Sequence, residues 1–272
     1  MDSETNRQGL YADPMVYDIL YTPGTAGEVT AFEKLEKRFA RGRLRKNRVW
    51  FEPACGTGRY LRVAHQRGRR VAGFDLDQGQ LAYARGRMKV SPGTLFQADM
   101  TDFSSAALKA GLKPGSVDFA FNPVNTIRHL GSDKAMLAHF AQVADVLKPG
   151  AVYVVGLSLT DYEHLTPEED LWQTARGQCK VSQLVNYLPP EKGTKKARVE
   201  TVISHLTVER PRGTEHFDDT YGLRTYGQKQ WRDLVKKSRL DRAGSFDAFG
   251  RPQDGLVLNY QLEVLQRPLL PT

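Results

Sequence analysis

The stretch VWFEPACGTGRY, residues 49–60, decides the fold: an apolar, β-like run enters a glycine-rich turn, with the acidic Glu52 at the junction. Gly56 and Gly58 reach backbone angles that other residues avoid and let a ligand approach the main chain. The third glycine of a dinucleotide fingerprint would fall at Leu61, and the lysine of a phosphate-binding loop is also missing. Because the charge of Glu52 would oppose a pyrophosphate, we expect the ligand at this turn to carry positive charge.

Short apolar runs alternate with helical segments from residue 49 to residue 155, which is the pattern of βαβ units on a parallel sheet. Five runs predict strands: RVWF, RVAGFD, GTLFQADM, SVDFAFNP and AVYVVGLSL. Three others have helical spacing: RYLRVAHQRG, GQLAYARGRM and DKAMLAHFAQVADVLKPG, which ends at a Pro-Gly stop. Two later runs, LDRAGSFDAF and LNYQLEVLQ, add two strands. We therefore expect an α/β fold with a Rossmann-like doubly wound sheet of seven strands.

The regions that flank this core have a different organisation. PMVYDILY and EVTAFEKLEKRFA predict two helices joined by TPGTAG, whose glycines and proline favour a mobile joint, so residues 1–45 form a predicted N-terminal helical lid. After the core at 46–160, the runs QCKVSQLVNYL, ARVETVISHLTVER and EHFDDTYGLRTY predict an antiparallel β extension over 161–225 that covers the acceptor site. Residues 226–272 supply a last helix, GQKQWRDLVKKS, and the strands that complete the core sheet.

Composition sets expectations for location and partners. No stretch of the 272 residues approaches the roughly 18 apolar residues of a membrane span. Cys55 and Cys179 are too few for a disulfide framework and lack the spacing of a zinc site, so we expect a reduced, cytoplasmic protein with no membrane or metal partner. The net charge of +8 comes partly from clusters such as RFARGRLRKNR (38–48), which fit either nucleic-acid contacts or solvated helix ends and loops.

Polar side chains lie at four consecutive predicted strand ends. Glu52 ends the first strand, Asp75 the second, Asp99 with Met100 the third, and Asn122 the fourth. The carboxyl ends of parallel strands meet at the crevice where strand order reverses, so we expect these side chains to line one site. Asp75 is placed to accept ribose hydroxyls, Asp99 to accept from an exocyclic amine, and Met100 to cover a purine. A ligand with an amino group, a ribose and an adenine would satisfy the set.

These motifs resemble those of the class I methyltransferases that use S-adenosylmethionine. EPACGTGR resembles the first motif of the family, VAGFDLD its second-strand acid, QADM its adenine-contacting motif and VDFAFNPVNTIRHL its fourth-strand region. The resemblance implies that Glu52 and the main chain of 54–58 hold the methionyl part, Asp75 the ribose, and Asp99 with Met100 the adenine. The cofactor-binding residues implied in this way are Tyr17, Glu52, Ala54, Cys55, Gly56, Gly58, Arg59, Asp75, Leu76, Asp99, Met100 and Asn122.

Three further segments are similar to small-molecule N-methyltransferases, such as those acting on glycine or on amino sugars. These are NTIRHL (125–130), the N-terminal YDILY and the later RTYGQKQWRDLV. The resemblance implies a small-molecule acceptor with nitrogen favoured over oxygen, His129 and Tyr21 as catalytic residues, and Asn125 and Arg224 as acceptor-binding residues. Because a sulfonium methyl is already activated, we expect in-line alignment and exclusion of water to be the main catalytic effects.

The sequence also leaves plainer alternatives open. They are helix capping for Glu52, Asp75 and His129, turn formation for Asp99, a surface position for Arg59, core packing for Cys55, Tyr17 and Tyr21, and an ion pair for Arg224. At the level of function, the acceptor could be RNA or a protein that contacts the basic stretch 38–48. The chain could also be a cofactor-binding partner subunit without turnover, and a homodimer is compatible with every alternative.

Overall fold

The computed structural model describes residues 9–39, 47–91, 94–253 and 260–269. The helices, in chain order, are α1 Pro14–Tyr21, α2 Thr25–Phe39, α3 Arg59–Gln66, α4 Gln78–Met88, α5 Ser104–Lys109, α6 Asp133–Val146 and α7 Gln228–Lys236. The strands are β1 Val49–Pro53, β2 Arg70–Asp75, β3 Leu95–Gln97, β4 Val117–Asn122, β5 Leu147–Ser158, β6 Glu168–Arg176, β7 Cys179–Leu188, β8 Val199–Arg210, β9 Gly213–Arg224, β10 Asp241–Phe246 and β11 Tyr260–Gln266. Short 3-10 helices occupy Gly9–Tyr11 and Thr126–His129.

Seven strands form one sheet in the order β10-β11-β5-β4-β1-β2-β3. Five neighbouring strands of this sheet are parallel: β5, β4, β1, β2 and β3. β11 is antiparallel to β5, and β10 is antiparallel to β11. Strand order reverses at β1, because β2 pairs with one of its edges and β4 with the other. The ligand crevice of such a sheet lies beyond the carboxyl ends of β1 and β4. The predicted Rossmann-like doubly wound sheet of seven strands is confirmed.

Neighbouring residues of β1 belong to two separate cores, one on each face of the sheet. Trp50 is fully buried and its ring centroid lies 4.7 Å from that of Phe119. Phe51 is fully buried on the opposite face, 5.8 Å from Phe74. Alternate side chains of a strand point to opposite faces, so a strand buried on both sides is apolar throughout. The burial of both aromatic rings holds β1 at the centre of the sheet and fixes the position of the turn that follows it.

Side-chain caps define where the helices near the carboxyl edge begin. The Asp77 carboxylate accepts a hydrogen bond from the amide of Gly79 at 2.7 Å and starts α4. The Ser132 hydroxyl accepts from the amide of Ala135 at 3.1 Å and starts α6. Such caps satisfy amides that the helix itself leaves without a partner. By contrast, α3 follows Gly58 with no side-chain cap, so the first turn of α3 meets the glycine turn directly.

The chain divides into two compact units. One contains Thr25–Tyr162 and the residues from Arg224 onward, and it holds the seven-stranded sheet. The other contains the described residues up to Gly24 together with Glu163–Leu223, and it holds α1 and a four-stranded sheet in the order β6-β7-β8-β9. This second unit has one core cluster of Leu10, Val16, Ile19, Leu20, Val181, Leu206 and Val208, and a smaller one of Val185, Val202 and Leu223. The division assigns α1 and α2, the two helices of the predicted lid, to different units.

Several element boundaries differ from the sequence prediction. The prediction misses β6, because Glu168–Arg176 is exposed at most positions and lacks the apolar alternation of a half-buried strand. It also misses α5, which is only six residues long. β3 ends at Gln97, so Asp99 and Met100 follow this strand instead of ending it. The segment LKPG, expected to end a helix, already belongs to β5.

Some sequence features lie partly outside the described residues. Residues 40–46 of the basic stretch 38–48, residues 1–8 of the predicted lid and the first two residues of LNYQLEVLQ are among them. Within the described ranges, no helix combines the length and the apolar character that crossing a membrane requires.

The close approach of β1 to β2 depends on Gly73. A Cβ atom there would lie 2.7 Å from Leu61 Cδ1 and 2.9 Å from the Glu52 carbonyl oxygen. We expect Gly73→Ala to lower the free energy of unfolding by about 1–3 kcal/mol through overpacking. Gly86→Ala is the matched control, because a Cβ atom at Gly86, inside α4, would have no heavy atom within 4 Å, and this change should stabilise the protein by about 0.5–1 kcal/mol. Urea unfolding midpoints test both, and equal effects of the two substitutions would contradict the packing argument.

Candidate functional site

The turn after β1 has a backbone conformation that leaves its main chain open. Ala54, Gly56 and Gly58 have φ angles of 50°, 51° and 65°, in the left-handed region. Around a Cβ built at Gly56, the nearest heavy atom is Gln80 Oε1 at 3.9 Å, so space remains above this peptide. Glycine accepts these angles without strain and lets a ligand contact the backbone. The turn therefore offers a main-chain surface at the carboxyl end of the central strand.

Asp75, the last residue of β2, holds this turn in place. Its Oδ2 atom accepts a hydrogen bond from the Gly56 amide at 2.7 Å, and its Oδ1 atom accepts from the Asp77 amide at 2.9 Å. Burial raises the pKa of Asp75, and the hydrogen bonds from these two amides act in the opposite direction. An ionised carboxylate has about four lone-pair positions, so each oxygen keeps capacity for a ligand hydroxyl. Asp75 can brace the turn and receive a diol at the same time.

Glu52 is a buried acid with an unsatisfied oxygen. The residue is 4% exposed, and no group in the described structure hydrogen-bonds to its Oε2 atom. Burial raises the pKa of Glu52 well above the ordinary 4.5, the charge of Arg59 lowers it, and the charges of Asp75 and Glu28 raise it further. A buried, incompletely paired carboxylate is costly unless a cation approaches it. The site therefore fits a ligand group with positive charge, as the sequence predicts.

Two more buried polar atoms close to the end of β1 have no hydrogen-bond partner among the described residues. Asn122 donates from Nδ2 to the Pro53 carbonyl at 2.8 Å, while its Oδ1 atom is unsatisfied. The Thr57 hydroxyl, in the glycine turn, is fully buried and equally unsatisfied. Buried polar groups in native proteins are rarely left without a partner. Together with Glu52, these atoms fit a polar ligand at the switch point of the sheet.

The residues assigned to adenine lie on a short segment after β3. Asp99 is exposed, and its Oδ1 atom accepts from the Thr101 amide at 2.7 Å and from the Thr101 hydroxyl at 2.5 Å, which is the turn-forming alternative. This arrangement still leaves the Oδ2 atom for an exocyclic amine. Met100 is half-buried, and Leu76, which follows β2, is 62% exposed. The segment therefore presents an acceptor and apolar surface, the two properties that a purine ring needs.

Arg59 and Cys55 have structural surroundings of their own. The Arg59 guanidinium pairs with Glu28 at 2.9 Å, donates to the Thr25 hydroxyl at 2.7 Å and lies 3.8 Å from the centre of the Tyr60 ring. Arg59 is buried, so the alternative that it is a surface residue is wrong. Cys55 is buried as well, and burial raises the pKa of its thiol well above the ordinary value. A thiol in this state is a poor nucleophile.

The residues assigned to the acceptor lie after β4 and at the end of β9. Asn125 has a φ angle of 61°, accepts from the Ser158 amide at 2.7 Å and donates to the Ser158 hydroxyl at 3.1 Å. His129 is exposed, but loss of water around the ring and then the charge of Arg128 lower its pKa from 6.5. Arg224 donates from Nη2 to Asp133 at 3.2 Å, while its buried Nε atom has no partner among the described residues. The ion-pair alternative for Arg224 is therefore present in the structure.

Tyr17 and Tyr21 belong to the unit that contains the four-stranded sheet. Their ring centroids are 4.9 Å apart, and Tyr17 also stacks on Tyr11 at 5.8 Å. The Tyr21 hydroxyl donates to Gln183 Oε1 at 2.9 Å. These contacts agree with the packing alternative, and the cofactor role of Tyr17 and the catalytic role of Tyr21 stay predictions.

Tyr260, near the carboxyl edge of the sheet, is not among the residues predicted for the site. The Tyr260 hydroxyl accepts from the Val124 amide at 3.0 Å, and Val124 has a φ angle of 55°, which is strained for a β-branched residue. A Cβ atom at Gly156 would overlap this hydroxyl, so only glycine lets the phenol cross β5. The one available signal is the isolated glycine inside AVYVVGLSL, since such glycines often mark a close approach.

Comparison with known proteins agrees with the geometry of the site. Residues 51–150 match the model of a family described as a methyltransferase domain. The dTDP-3-amino-3,4,6-trideoxy-alpha-D-glucopyranose N,N-dimethyltransferase of Streptomyces venezuelae is 27% identical over 220 residues, covering 79% of this chain and 84% of the relative. The crystal structure of Streptomyces venezuelae DesVI superimposes with a TM-score of 0.72 at 22% identity, over 93% of this chain and 97% of that chain. The structure of an amino pentose methyltransferase from Micromonospora echinaspora, solved with bound S-adenosylmethionine, superimposes with a TM-score of 0.62 at 21% identity. The superposition covers 86% of this chain and 89% of that chain.

The sheet order, the glycine turn after β1 and the acidic strand ends define a Rossmann-like nucleoside-binding fold. Residues 51–150 form the matched methyltransferase domain, and the chain has the class I fold of S-adenosylmethionine-dependent methyltransferases. The cofactor bound to that amino pentose methyltransferase is S-adenosylmethionine. The acidic and neutral polar groups at the turn fit this cofactor, which has a positively charged sulfur and ammonium and no phosphate.

The raised pKa of Glu52 predicts a pH dependence of stability. A carboxyl group whose pKa is higher in the folded than in the unfolded protein stabilises the fold at low pH, and this contribution is lost as pH rises through the folded pKa. We expect the cofactor-free protein to lose stability as pH rises above 4.5, the ordinary pKa of a glutamate side chain, and Glu52→Gln to remove part of that loss. Urea unfolding at several pH values measures it, with Glu169→Gln, at an exposed position of β6, as the control. Parallel pH profiles for the protein and Glu52→Gln would contradict the assignment.

Proposed function

We propose that this enzyme transfers a methyl group from S-adenosylmethionine to an amine nitrogen of a small, sugar-like acceptor. The observation that carries the cofactor placement is the buried Glu52 carboxylate with its unsatisfied Oε2 atom beside an open glycine turn. The acceptor class is supported by the Streptomyces venezuelae relative, whose name describes N,N-dimethylation of a nucleotide-linked amino sugar.

In this proposal, each part of the cofactor has a chemical partner. The Glu52 carboxylate receives the ammonium of the methionyl part, with the backbone of 54–58 beside it. The Asp75 carboxylate receives the ribose hydroxyls through its remaining lone pairs. The Oδ2 atom of Asp99 accepts from the adenine amine, and Met100 with Leu76 covers the ring. Asn122, the buried last residue of β4, offers its unsatisfied Oδ1 atom as a further hydrogen-bond acceptor for the cofactor.

Alignment is the main catalytic effect in this proposal. S-adenosylmethionine supplies a methyl group bound to a cationic sulfur, which needs no further activation. With this cofactor bound, the lone pair of the acceptor nitrogen would form the new N–CH3 bond as the S–CH3 bond breaks, and the electron pair of that bond would stay on sulfur. Displacement of this kind depends on in-line positioning and on exclusion of water. The methylated nitrogen then releases a proton, and His129 is the candidate to receive it, because its lowered pKa keeps the ring neutral near pH 7.

Two residues are candidates for holding the acceptor. Asn125 is fixed by its two hydrogen bonds to Ser158, so its peptide keeps one position after β4. Arg224 has a buried Nε atom that is unpaired within the described ranges, next to the Nη2 atom that pairs with Asp133. Arginine binds phosphate and carboxylate groups through paired N–H donors, so Arg224 suits the diphosphate of a nucleotide-linked sugar.

The proposal also includes the location of the protein, the lid, the β extension and the homodimer. A reducing, cytoplasmic location is supported by the two free cysteines, Cys55 and Cys179. The assignment of residues 1–45 to a lid and of 161–225 to a cover over the acceptor stays a prediction, as does the homodimer. RNA and protein acceptors, and a partner subunit without turnover, are the competing functions that the experiments below separate.

Removal of the Glu52 charge tests the cofactor placement. We expect Glu52→Gln to weaken binding of S-adenosylmethionine about tenfold to a hundredfold, since a hydrogen bond to a charged group contributes about 1.5–3 kcal/mol. For the unaltered enzyme, affinity should fall as pH decreases, because protonated Glu52 no longer attracts the ammonium. Isothermal titration measures both effects, with Glu169→Gln as the control. A dissociation constant unchanged by Glu52→Gln would show the placement to be wrong.

A labelled methyl donor tests the acceptor class. We expect label to enter nucleotide-linked amino sugars and not the corresponding hydroxy sugars, because a neutral amine attacks without a strong base. Arg224→Leu should raise KM for the nucleotide-linked acceptor about tenfold or more, through loss of a charged hydrogen bond. Mass spectrometry of the products identifies the labelled acceptor and measures the rates from which KM is obtained. Label in RNA or protein alone would support the competing acceptor, and no label in any pool would support the silent subunit.

A further inference from the structure

The segment that follows β3 is held from one side by α6. Residues 99–104 contain no regular strand, and the helix that follows, α5, has Phe103 at its N-cap position with no side-chain cap. Two side chains of α6, His139 and Gln142, supply the missing hydrogen bonds. They are one turn apart on the same helix, so both reach the same segment.

Gln142 replaces the missing cap. Its Oε1 atom accepts from the Phe103 amide at 2.6 Å, from the Ser104 amide at 2.7 Å and from the Ser104 hydroxyl at 2.9 Å. Its Nε2 atom donates to the Thr101 carbonyl. A single side chain from a distant helix thus satisfies the start of α5 and also fixes the peptide two residues after Asp99.

His139 fixes the peptide of Met100. Its Nδ1 atom lies 2.9 Å from the Met100 carbonyl oxygen, and its Nε2 atom lies 2.8 Å from the Tyr153 hydroxyl. A carbonyl only accepts, so Nδ1 carries the proton and Nε2 accepts from the tyrosine. Both His139 and Tyr153 are fully buried. The imidazole is therefore neutral, it has one tautomer, and it connects the Met100 peptide to β5.

We propose that His139 and Gln142 are positioning residues that set the selectivity of the enzyme for adenine, because they fix the backbone from which Asp99 and Met100 contact the ring. This inference rests on the adenine placement proposed above. Neither side chain touches the cofactor in this arrangement. Their effect passes through the hydrogen bonds to the Met100 and Thr101 carbonyls and to the first amides of α5. A displaced peptide moves the Asp99 carboxylate away from the exocyclic amine.

Two histidine substitutions separate this positioning role from simple core packing. In His139→Asn the side-chain amide takes the place of Nδ1 and still donates to the Met100 carbonyl, but the Tyr153 hydroxyl loses its acceptor. In His139→Gln the amide takes the place of Nε2, so the contact with Tyr153 is kept and the bond to Met100 is lost. Each substitution leaves one of the two hydrogen bonds, so the pair is matched in chemistry and opposite in position.

The experiment compares binding of S-adenosylhomocysteine with binding of S-inosylhomocysteine, which has a carbonyl in place of the exocyclic amine. We expect the unaltered enzyme to prefer the adenine compound about tenfold or more, because only the exocyclic amine can donate a hydrogen bond to the Asp99 carboxylate. The preference should persist in His139→Asn and fall toward unity in His139→Gln and in Gln142→Leu. Isothermal titration gives the ratio of dissociation constants, and thermal melting shows that each variant is folded.

The possible outcomes are distinct. An equal loss of selectivity in His139→Asn and His139→Gln would assign the effect to packing and overturn the inference, as would retention of selectivity in His139→Gln and Gln142→Leu. If neither histidine variant folds, Gln142→Leu decides the question, because Gln142 is only partly buried. Asp99→Asn tests the adenine placement separately: unchanged selectivity there would overturn the proposed cofactor placement, whatever the α6 variants show.

Discussion

The unsatisfied carboxylate of Glu52 is the constraint on which the proposed cofactor site depends. Burial at the centre of the sheet removes the water that would solvate this charge, and the pKa of the group rises as a result. Arg59, whose charge lowers the pKa of Glu52, is already paired with Glu28, so its stabilising effect is shared. An acid in this state favours a ligand that brings a positive charge, and it disfavours the phosphates that most glycine-rich turns bind.

The sheet keeps Glu52 in place by packing that leaves little freedom. Trp50 and Phe51 anchor β1 in the cores on the two faces, and Gly73 allows β2 to approach the Glu52 peptide more closely than any other residue would permit. Asp75 then connects the end of β2 to the Gly56 amide. The position of the glycine turn is therefore determined by two neighbouring strands and not by the turn alone. Such rigidity suits the in-line alignment that the proposed methyl transfer requires.

The turns at the carboxyl edge of the sheet are held in place in different ways after different strands. Around β1 and β2 the backbone uses glycines for most of its left-handed angles. After β4, Val124 and Asn125 adopt such angles without glycine, and hydrogen bonds with Tyr260 and Ser158 groups hold them there. Strained residues persist only where the surrounding structure determines their conformation. After β3, the bonds from α6 have the same function, because the segment before α5 contains no regular strand.

Periodicity and strand-end chemistry in the sequence determined the doubly wound seven-stranded sheet, the two helices before it and the class of ligand, because apolar spacing and charge are local properties of the chain. Strand β6 and helix α5 escaped the prediction, since one lacks alternation and the other is too short to show a period. Only the tertiary structure decided that Arg59 is buried against Glu28, that Tyr260 reaches Val124 across Gly156, and that His139 and Gln142 hold the segment after β3. Each of these contacts joins residues far apart in the sequence, and its existence depends on how β-strands and helices pack, which no local pattern records.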